Sequence, residues 1–445
     1  MKSNNFILKG DILQSGKSGA IESRGGGYLV CAEGKSAGVF PGIPEEYASF
    51  PLFDYSGKLI IPGLTDLHAH APQFAFRATG MDLELLDWLE TRAFPEEAKY
   101  GDGVYARRAY GFLVERLKRG PNTRIVLFAT IHVPATLLLM DMLEESGLVC
   151  LVGKVNMDRN SPDYLCEKSA AASLDATREW LAANRGARGS GNVMPILTPR
   201  FIPSCSDELM RGLSEIQKEY GLPVQSHLSE NRKEIEWVRE LCPSSSCYGG
   251  AYDDFGLFGN GAPTIMAHCV WPEEREIELL AKRGVYIAHC PQSNANLSSG
   301  IAPVRKFLER GLSAGLGSDI AGGVHSSIFR AMTDAIQVSK LRRALLGESG
   351  AAVSLEEAFY LGTRGGGEFF GTASRVANNA SGGKAAGFGA AGSFDSGYDF
   401  DALVIDDAEL AAPFELSPRD RLERVIYLSE DRHIMTKFVR GRRIF

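Results

Sequence analysis

Basic clusters are missing from this 445-residue sequence: 48 lysines and arginines stand against 55 acidic residues, for a net charge of −7. The isoelectric point is about 5.7. A nucleic-acid binder usually carries a basic footprint, so that class is excluded. A free, neutral nucleobase has no phosphate to clamp and remains compatible. Long hydrophobic runs are missing too. The longest apolar tract, 125–140, contains His132 and Pro134 and lies between Arg124 and Asp141. It is shorter than the ~20 residues of a membrane span and reads as a strand running into a helix. The N-terminal Phe6-Ile7-Leu8 stretch, followed by Lys9-Gly10-Asp11, is too short and interrupted for a signal peptide. The eight cysteines (31, 150, 166, 205, 242, 247, 269 and 290) follow no regular spacing. They read as free thiols of a reducing compartment, and a cytoplasmic location is expected. Cys242 and Cys247 have no second pair to complete a metal knuckle. Gly365-Gly366-Gly367 and Gly382-Gly383-Lys384 lack the context of a phosphate-binding loop. The His-x-Glu and Pro-Cys-x-x-Cys signature of one zinc deaminase class is also absent.

Apolar residues make up 44% and charged residues 23% of the chain, an ordinary globular balance. Short apolar runs at 59–67, 123–130, 148–156, 193–198, 223–227, 263–268, 285–290 and 313–319 predict strands. Helix-like stretches at 208–220, 233–241, 272–283 and 304–310 separate some of them. Alternating strand and helix argue for a parallel sheet, and about eight buried strands argue for an α/β fold with a (β/α)8 TIM-type barrel. Both ends read as β-like: the glycine-rich start, and a tail containing Arg424-Val425-Ile426-Tyr427 and Phe438-Val439-Arg440. We expect a small β-sandwich domain built from both termini (1–61 and 391–445) around a barrel at 62–390. The stretch 377–396, rich in Gly, Ala, Ser and Asn, is expected to be a flexible loop.

Four clusters end predicted strands, where barrels of this kind place their active sites. His68-Ala69-His70 presents two imidazoles to one side, since alternate strand residues share a face. His227 is followed three residues later by Glu230; His268 and Asp319 end later strands, with His289 beside them in the chain order. A single buried histidine is more often a satisfied core residue than a ligand, and a strand-terminal aspartate commonly caps a helix. Their conjunction at one barrel mouth points instead to a catalytic metal, held by His68, His70, His227 and Asp319. Zinc suits these donors and leaves room for water, whose pKa it lowers from ~15.7 to about 7. Iron uses the same donor types. Glu230 would carry protons, Asp319 would accept the proton of the attacking water, and His268 would hydrogen-bond the developing oxyanion.

These residues resemble the amidohydrolase superfamily over nearly the whole chain. Pro62-Gly63-Leu64-Thr65-Asp66-Leu67-His68-Ala69-His70-Ala71-Pro72-Gln73 is similar to the branch that acts on guanine. So are Asp87-Trp88-Leu89, Thr198-Pro199-Arg200-Phe201, His227-Leu228-Ser229-Glu230-Asn231, His289-Cys290-Pro291-Gln292-Ser293-Asn294 and Gly317-Ser318-Asp319. The resemblance implies a barrel plus β-domain, one zinc per chain, a homodimer, and hydrolysis of guanine to xanthine and ammonia. It also implies that Gln73 and Arg200 bond the purine's polar edges and that Phe201 lines the pocket, with His227, Glu230 and Asp319 touching substrate. An amide and a guanidinium fork suit a mixed donor and acceptor edge. Gly120-Pro121-Asn122-Thr123 and Cys269-Val270-Trp271 depart from the family's pattern. Other readings are another aminated or halogenated heterocycle (8-oxoguanine, a pterin, cytosine or a triazine), a two-metal site using a carboxylated lysine, and a non-catalytic barrel scaffold. The lysine is missing where the fourth strand ends, at Thr198-Pro199-Arg200. His132 could line the pocket or be structural, and His325 could reach substrate or simply be solvated; His433 is expected to be inert.

Overall fold

A computed structural model describes residues 4–184, 191–259, 261–380 and 387–445. Eight short parallel strands form the centre: β1 Leu64–His70, β2 Asn122–Phe128, β3 Val149–Gly153, β4 Val193–Pro195, β5 Val224–Leu228, β6 Thr264–His268, β7 Tyr286–His289 and β8 Ala314–Leu316. They pair in the orders β1-β2-β3-β4 and β5-β6-β7-β8. Backbone bonds close both seams. Leu197 N donates to Pro223 O and Gln225 N to Leu197 O across the first, each at 2.9 Å. Asp319 N donates to His68 O (2.8 Å) and His70 N to Ile320 O (3.0 Å) across the second. The result is a closed barrel, whose interior packs Leu67, Val126, Val149, Leu151, Ile196, Ile265 and Ala288.

Amphipathic helices surround it for a local reason that Asp207–Tyr220 illustrates. Ser206 accepts a capping bond from Leu209 N, Gly221 ends the helix in the left-handed conformation, and Leu209, Leu213 and Ile216 turn one buried stripe to the strands. Among the described residues, no helix is long and apolar enough to cross a membrane.

Both ends of the chain meet in one seven-stranded sheet. Its order is Arg442–Arg443, Ile434–Val439, Ala402–Ile405, Leu52–Pro62, Phe6–Ser15, Ile21–Ala32, Lys35–Phe40. Three sequence expectations need correction. The run 59–67 is two strands, because Gly63 passes so close to Thr123 that a Cβ would lie 2.3 Å from its side chain. Arg424-Val425-Ile426-Tyr427 is helical, inside Pro418–Leu428. Ser417 caps that helix, and Leu422, Val425 and Ile426 are buried at helical spacing. The helix Gly366–Ala380 runs into the expected loop at 377–396; residues 381–386, with Gly382-Gly383-Lys384, lie outside the described residues. The glycines that begin this helix serve close packing: a Cβ at Gly366 would come 3.0 Å from Thr65 of β1.

Candidate active site

The barrel mouth is assembled by turns of unusual backbone. Ser229, His268, Cys269 and Asp319 follow or end β5, β6 and β8 with φ of 47°, 75°, 48° and 45°. Left-handed non-glycine residues are costly and persist where surrounding bonds determine them, often at functional sites. Here Cys269 N donates to Leu228 O, and both Val270 N and Trp271 N donate to Ser229 O, within 3.0 Å. Asp66 fixes the seam below Asp319, accepting from Ser318 N (2.9 Å), Ser318 Oγ (2.6 Å) and His68 N (3.2 Å).

These turns bring His68, His70, His227, His268, Glu230 and Asp319 together; all but the partly exposed His227 are nearly inaccessible to solvent. His68 Nε2 lies 3.1 Å from Asp319 Oδ1, and His70 Nε2 lies 3.5 Å from the same oxygen. His70 Nε2 and His227 Nε2 are 3.2 Å apart. His227 Nδ1 faces Arg200 O at 2.6 Å, so the ring donates there and aims an Nε2 lone pair inward. The donor atoms of His68, His70 and His227 lie within 4.8 Å of one another, as do those of His68, His268 and Asp319. His68 Nε2 is buried without a hydrogen bond despite its closeness to Asp319. Burial lowers the pKa of His68 and takes His70 and His227 well below the usual imidazole range. Burial opposes ionisation of Asp319, yet His68 and His268 hold its carboxyl well below the usual carboxylate range. Neutral imidazoles and an ionised carboxylate are the protonation states a divalent cation requires. The donor set therefore fits a metal.

Glu230 and His268 flank this centre. Glu230 Oε2 is 3.4 Å from His268 Nε2, and its Oε1 accepts from Ser299 Oγ at 3.1 Å. Burial pushes the Glu230 carboxyl up to about 7 against the pull of His268, which suits a group that exchanges protons near neutrality. His268 donates Nδ1–H to Asn294 Oδ1 (2.8 Å), leaving Nε2 directed at Glu230 and, 3.9 Å away, Asp319. Burial would lower its pKa, but Glu230 and Asp319 outweigh burial and raise it.

Gln73, Arg200 and Phe201 form the wall of the same pocket, with Leu85, Trp88, Leu89 and Leu297 as its apolar side. The structure adds partners that sequence reasoning missed. Glu97, 2% exposed, accepts from Arg200 through both guanidinium arms and from Gln73 Nε2. An adjacent acidic pair, Glu96-Glu97, carries no sequence signal to separate it from a solvated helix face. Asn294 and Ser299 were equally silent as partners of His268 and Glu230. The remaining histidines lie elsewhere. His132 starts the helix Val133–Ser146 and faces Gly101 outside the pocket wall. His325 is exposed in a surface hollow with Arg116 and Arg330, and His433 is buried beside Glu430. His289 is buried with neither ring nitrogen bonded.

The model of the amidohydrolase family matches residues 59–444. A guanine deaminase of Dictyostelium discoideum is 40% identical over 397 residues, covering 88% of this chain and 84% of that protein. The guanine deaminase of Homo sapiens is 34% identical over 398 residues, covering 87% and 83%. Among solved structures, a guanine deaminase from C. acetobutylicum with guanine bound in its active site superposes with a TM-score of 0.91. It is 45% identical and the match covers 99% of this chain and 100% of that one.

Proposed function

Because the chain belongs to the amidohydrolase family, we propose that it is an enzyme that hydrolyses guanine to xanthine and ammonia. The observation that carries the reading is one buried pocket holding three kinds of group. They are a metal-fitting donor set, a carboxyl at Glu230 that titrates near neutrality, and a polar wall of Gln73 and Arg200.

His68, His70, His227 and Asp319 would hold one divalent metal, zinc in the first instance. Such an ion lowers the pKa of a coordinated water to about 7 and so supplies a nucleophile at neutral pH. The chain's own residues do the rest. Asp319 accepts the proton of the attacking water. Glu230 delivers its proton to the ring nitrogen beside C2, takes up the proton of the hydroxyl added there and passes it to the departing amine; the proton on Asp319 then restores Glu230, so that one water is consumed and one ammonia leaves. His268, its Nδ1–H committed to Asn294, stabilises the oxyanion that develops at C2. Gln73 and Arg200 bond the purine's polar edge while Phe201 and Trp88 shield the ring from water.

The same family reading extends to one metal per chain, a homodimer and a cytoplasmic location. Ammonia release from guanine by zinc-loaded protein, set beside 8-oxoguanine, a pterin, cytosine and a triazine, tests the substrate. Guanine is expected to show the highest kcat/KM; an inert protein, or a clear preference for another ring, would overturn the proposal. Elemental analysis and light scattering test the metal and the dimer.

A further inference from the structure

Glu97 lies behind the Gln73 and Arg200 wall of the pocket, on the short helix Phe94–Ala98, and is 2% exposed. Its Oε2 accepts from Arg200 Nη1 at 2.6 Å, and its Oε1 accepts from Arg200 Nη2 at 3.0 Å and from Gln73 Nε2 at 2.8 Å. Gln73 is bound at its other end as well, because Oε1 accepts from Ala321 N at 3.2 Å. The neighbouring Glu96 turns away to Tyr105 and Lys99. A buried carboxylate thus fixes two of the groups that face the pocket and touches none of the metal-fitting residues.

The consequences follow from donor counting. Gln73 has two N–H donors and Glu97 takes one, which settles which end of the amide is nitrogen. The other N–H and one oxygen lone pair remain for a ligand. Arg200 has five donors in a rigid fork; two are held by Glu97 and the guanidinium sits with its Cζ 5.0 Å from the Phe94 ring centroid. The carboxylate also offsets the charge of Arg200. This part of the wall then offers directed donors without net charge, which suits a neutral oxo-purine.

We infer that Glu97 is a positioning residue that orients Gln73 and Arg200 for the 6-oxo edge of the base, and so sets specificity. The inference rests on the purine-base reading of the pocket above. In Glu97→Gln, one carboxylate oxygen becomes an amide nitrogen that opposes an N–H of Arg200 or Gln73.

Inhibition by two bases that cannot be deaminated tests it: hypoxanthine, which carries the 6-oxo group, and purine, which lacks it. Wild-type protein should bind hypoxanthine the more tightly. In Glu97→Gln the Ki for hypoxanthine should rise about 100-fold while that for purine, which has no oxo group to meet those donors, moves less than about threefold, so the purine-to-hypoxanthine Ki ratio should fall. A merely structural role would weaken both bases alike, and metal content should stay at the wild-type level. Should Glu97→Gln fail to fold, Glu97→Asp keeps the charge but retracts the carboxylate, and the same ratio should fall by a smaller factor. An unchanged ratio in a folded variant, or no hypoxanthine preference in the wild type, would overturn the inference. Absence of guanine turnover by wild type would instead strike the substrate reading, whatever the inhibition ratio shows.

Discussion

At the floor of the barrel, Arg124 commits Nε to Asp401, Nη1 to the Gly389 carbonyl and Nη2 to Asp399, each at 2.7 Å. At the mouth, His68 Nε2 has no hydrogen-bond partner, and His70 Nε2 meets His227 Nε2 at 3.2 Å, nitrogen to nitrogen. Both constellations are buried, and both join distant parts of the chain. The floor is a closed set of donors and acceptors: burial opposes ionisation of Asp399, yet Arg124 and Lys35 hold it down to about 2. At the mouth, several acceptors converge on one point from β1, β5 and β8. Buried polar groups that satisfy each other specify a fold; buried donor atoms that converge with lone pairs left over can take a ligand.

Three perturbations sharpen that contrast, beginning with the strongest. Stripping the metal with a chelator should reduce guanine turnover to background, and added zinc should restore it. It should also lower the melting temperature, because a ligand of the native state stabilises by mass action. A chelated protein with full activity would mean that the mouth is another closed structural network. Next, Glu230→Gln should cut kcat about 10²–10⁴-fold, the range of general acid–base catalysis, while metal analysis stays unchanged. Equal loss of metal and activity would make Glu230 a ligand rather than a proton carrier. At the floor, Arg124→Met leaves Asp399 and Asp401 without their common partner. It should lower unfolding free energy by about 3–5 kcal/mol, read from denaturant titration, with kcat/KM of the folded fraction little changed.

Legibility in the sequence follows the same division. His68 and His70 stand out because a strand's period is two, and Asp319 because it closes the last apolar run. A ligand-like constellation is visible wherever chemistry falls at strand ends. The supporting groups are not. Glu97 reaches Gln73 across 24 positions and Arg200 across 103, and nothing in an acidic pair announces either contact. Arg124 and its aspartates are separated by 275 and 277 positions, so the floor is invisible to any local pattern. The fold class is carried by the alternation of apolar runs and amphipathic stretches. The pattern misleads where a short apolar pair is ambiguous. Val425-Ile426 suits a strand, and only Ser417-Pro418 ahead of it signals a helix start. Gly63 breaks a continuous apolar run for a reason of packing against Thr123, which lies 60 residues on and leaves no local trace.

The smallest effects concern two groups whose burial shifts them towards neutrality from opposite sides. Behind the mouth, Glu276 accepts from Ser229 Oγ (2.7 Å) and Gly249 N (2.6 Å), and burial raises its carboxyl from 4.5 to about 7. Between those values the folded chain keeps a proton that the unfolded chain has shed, so this group weakens the protein as pH rises through that window. Near the floor, Lys437 donates to the Leu117 and Asn122 carbonyls at 2.9 Å, and burial lowers it from 10.5 to about 7. There the unfolded chain holds the extra proton, so stability recovers as pH climbs from about 7 towards 10.5. One titrating group can change stability by at most about 1.36 kcal/mol for each step of one in pH. In Glu276→Gln the amide oxygen can accept from Gly249 and the amide nitrogen can donate to the rotated Ser229 hydroxyl, so the bonds survive and the titration does not. Denaturation midpoints followed from about pH 5 to about pH 10 should therefore show wild type losing stability relative to Glu276→Gln on the acid side of neutrality. Relative to Lys437→Met, wild type should gain on the alkaline side. If either variant tracks the wild-type curve in parallel over its window, that group is not titrating there and its buried bonds hold it in the charged form.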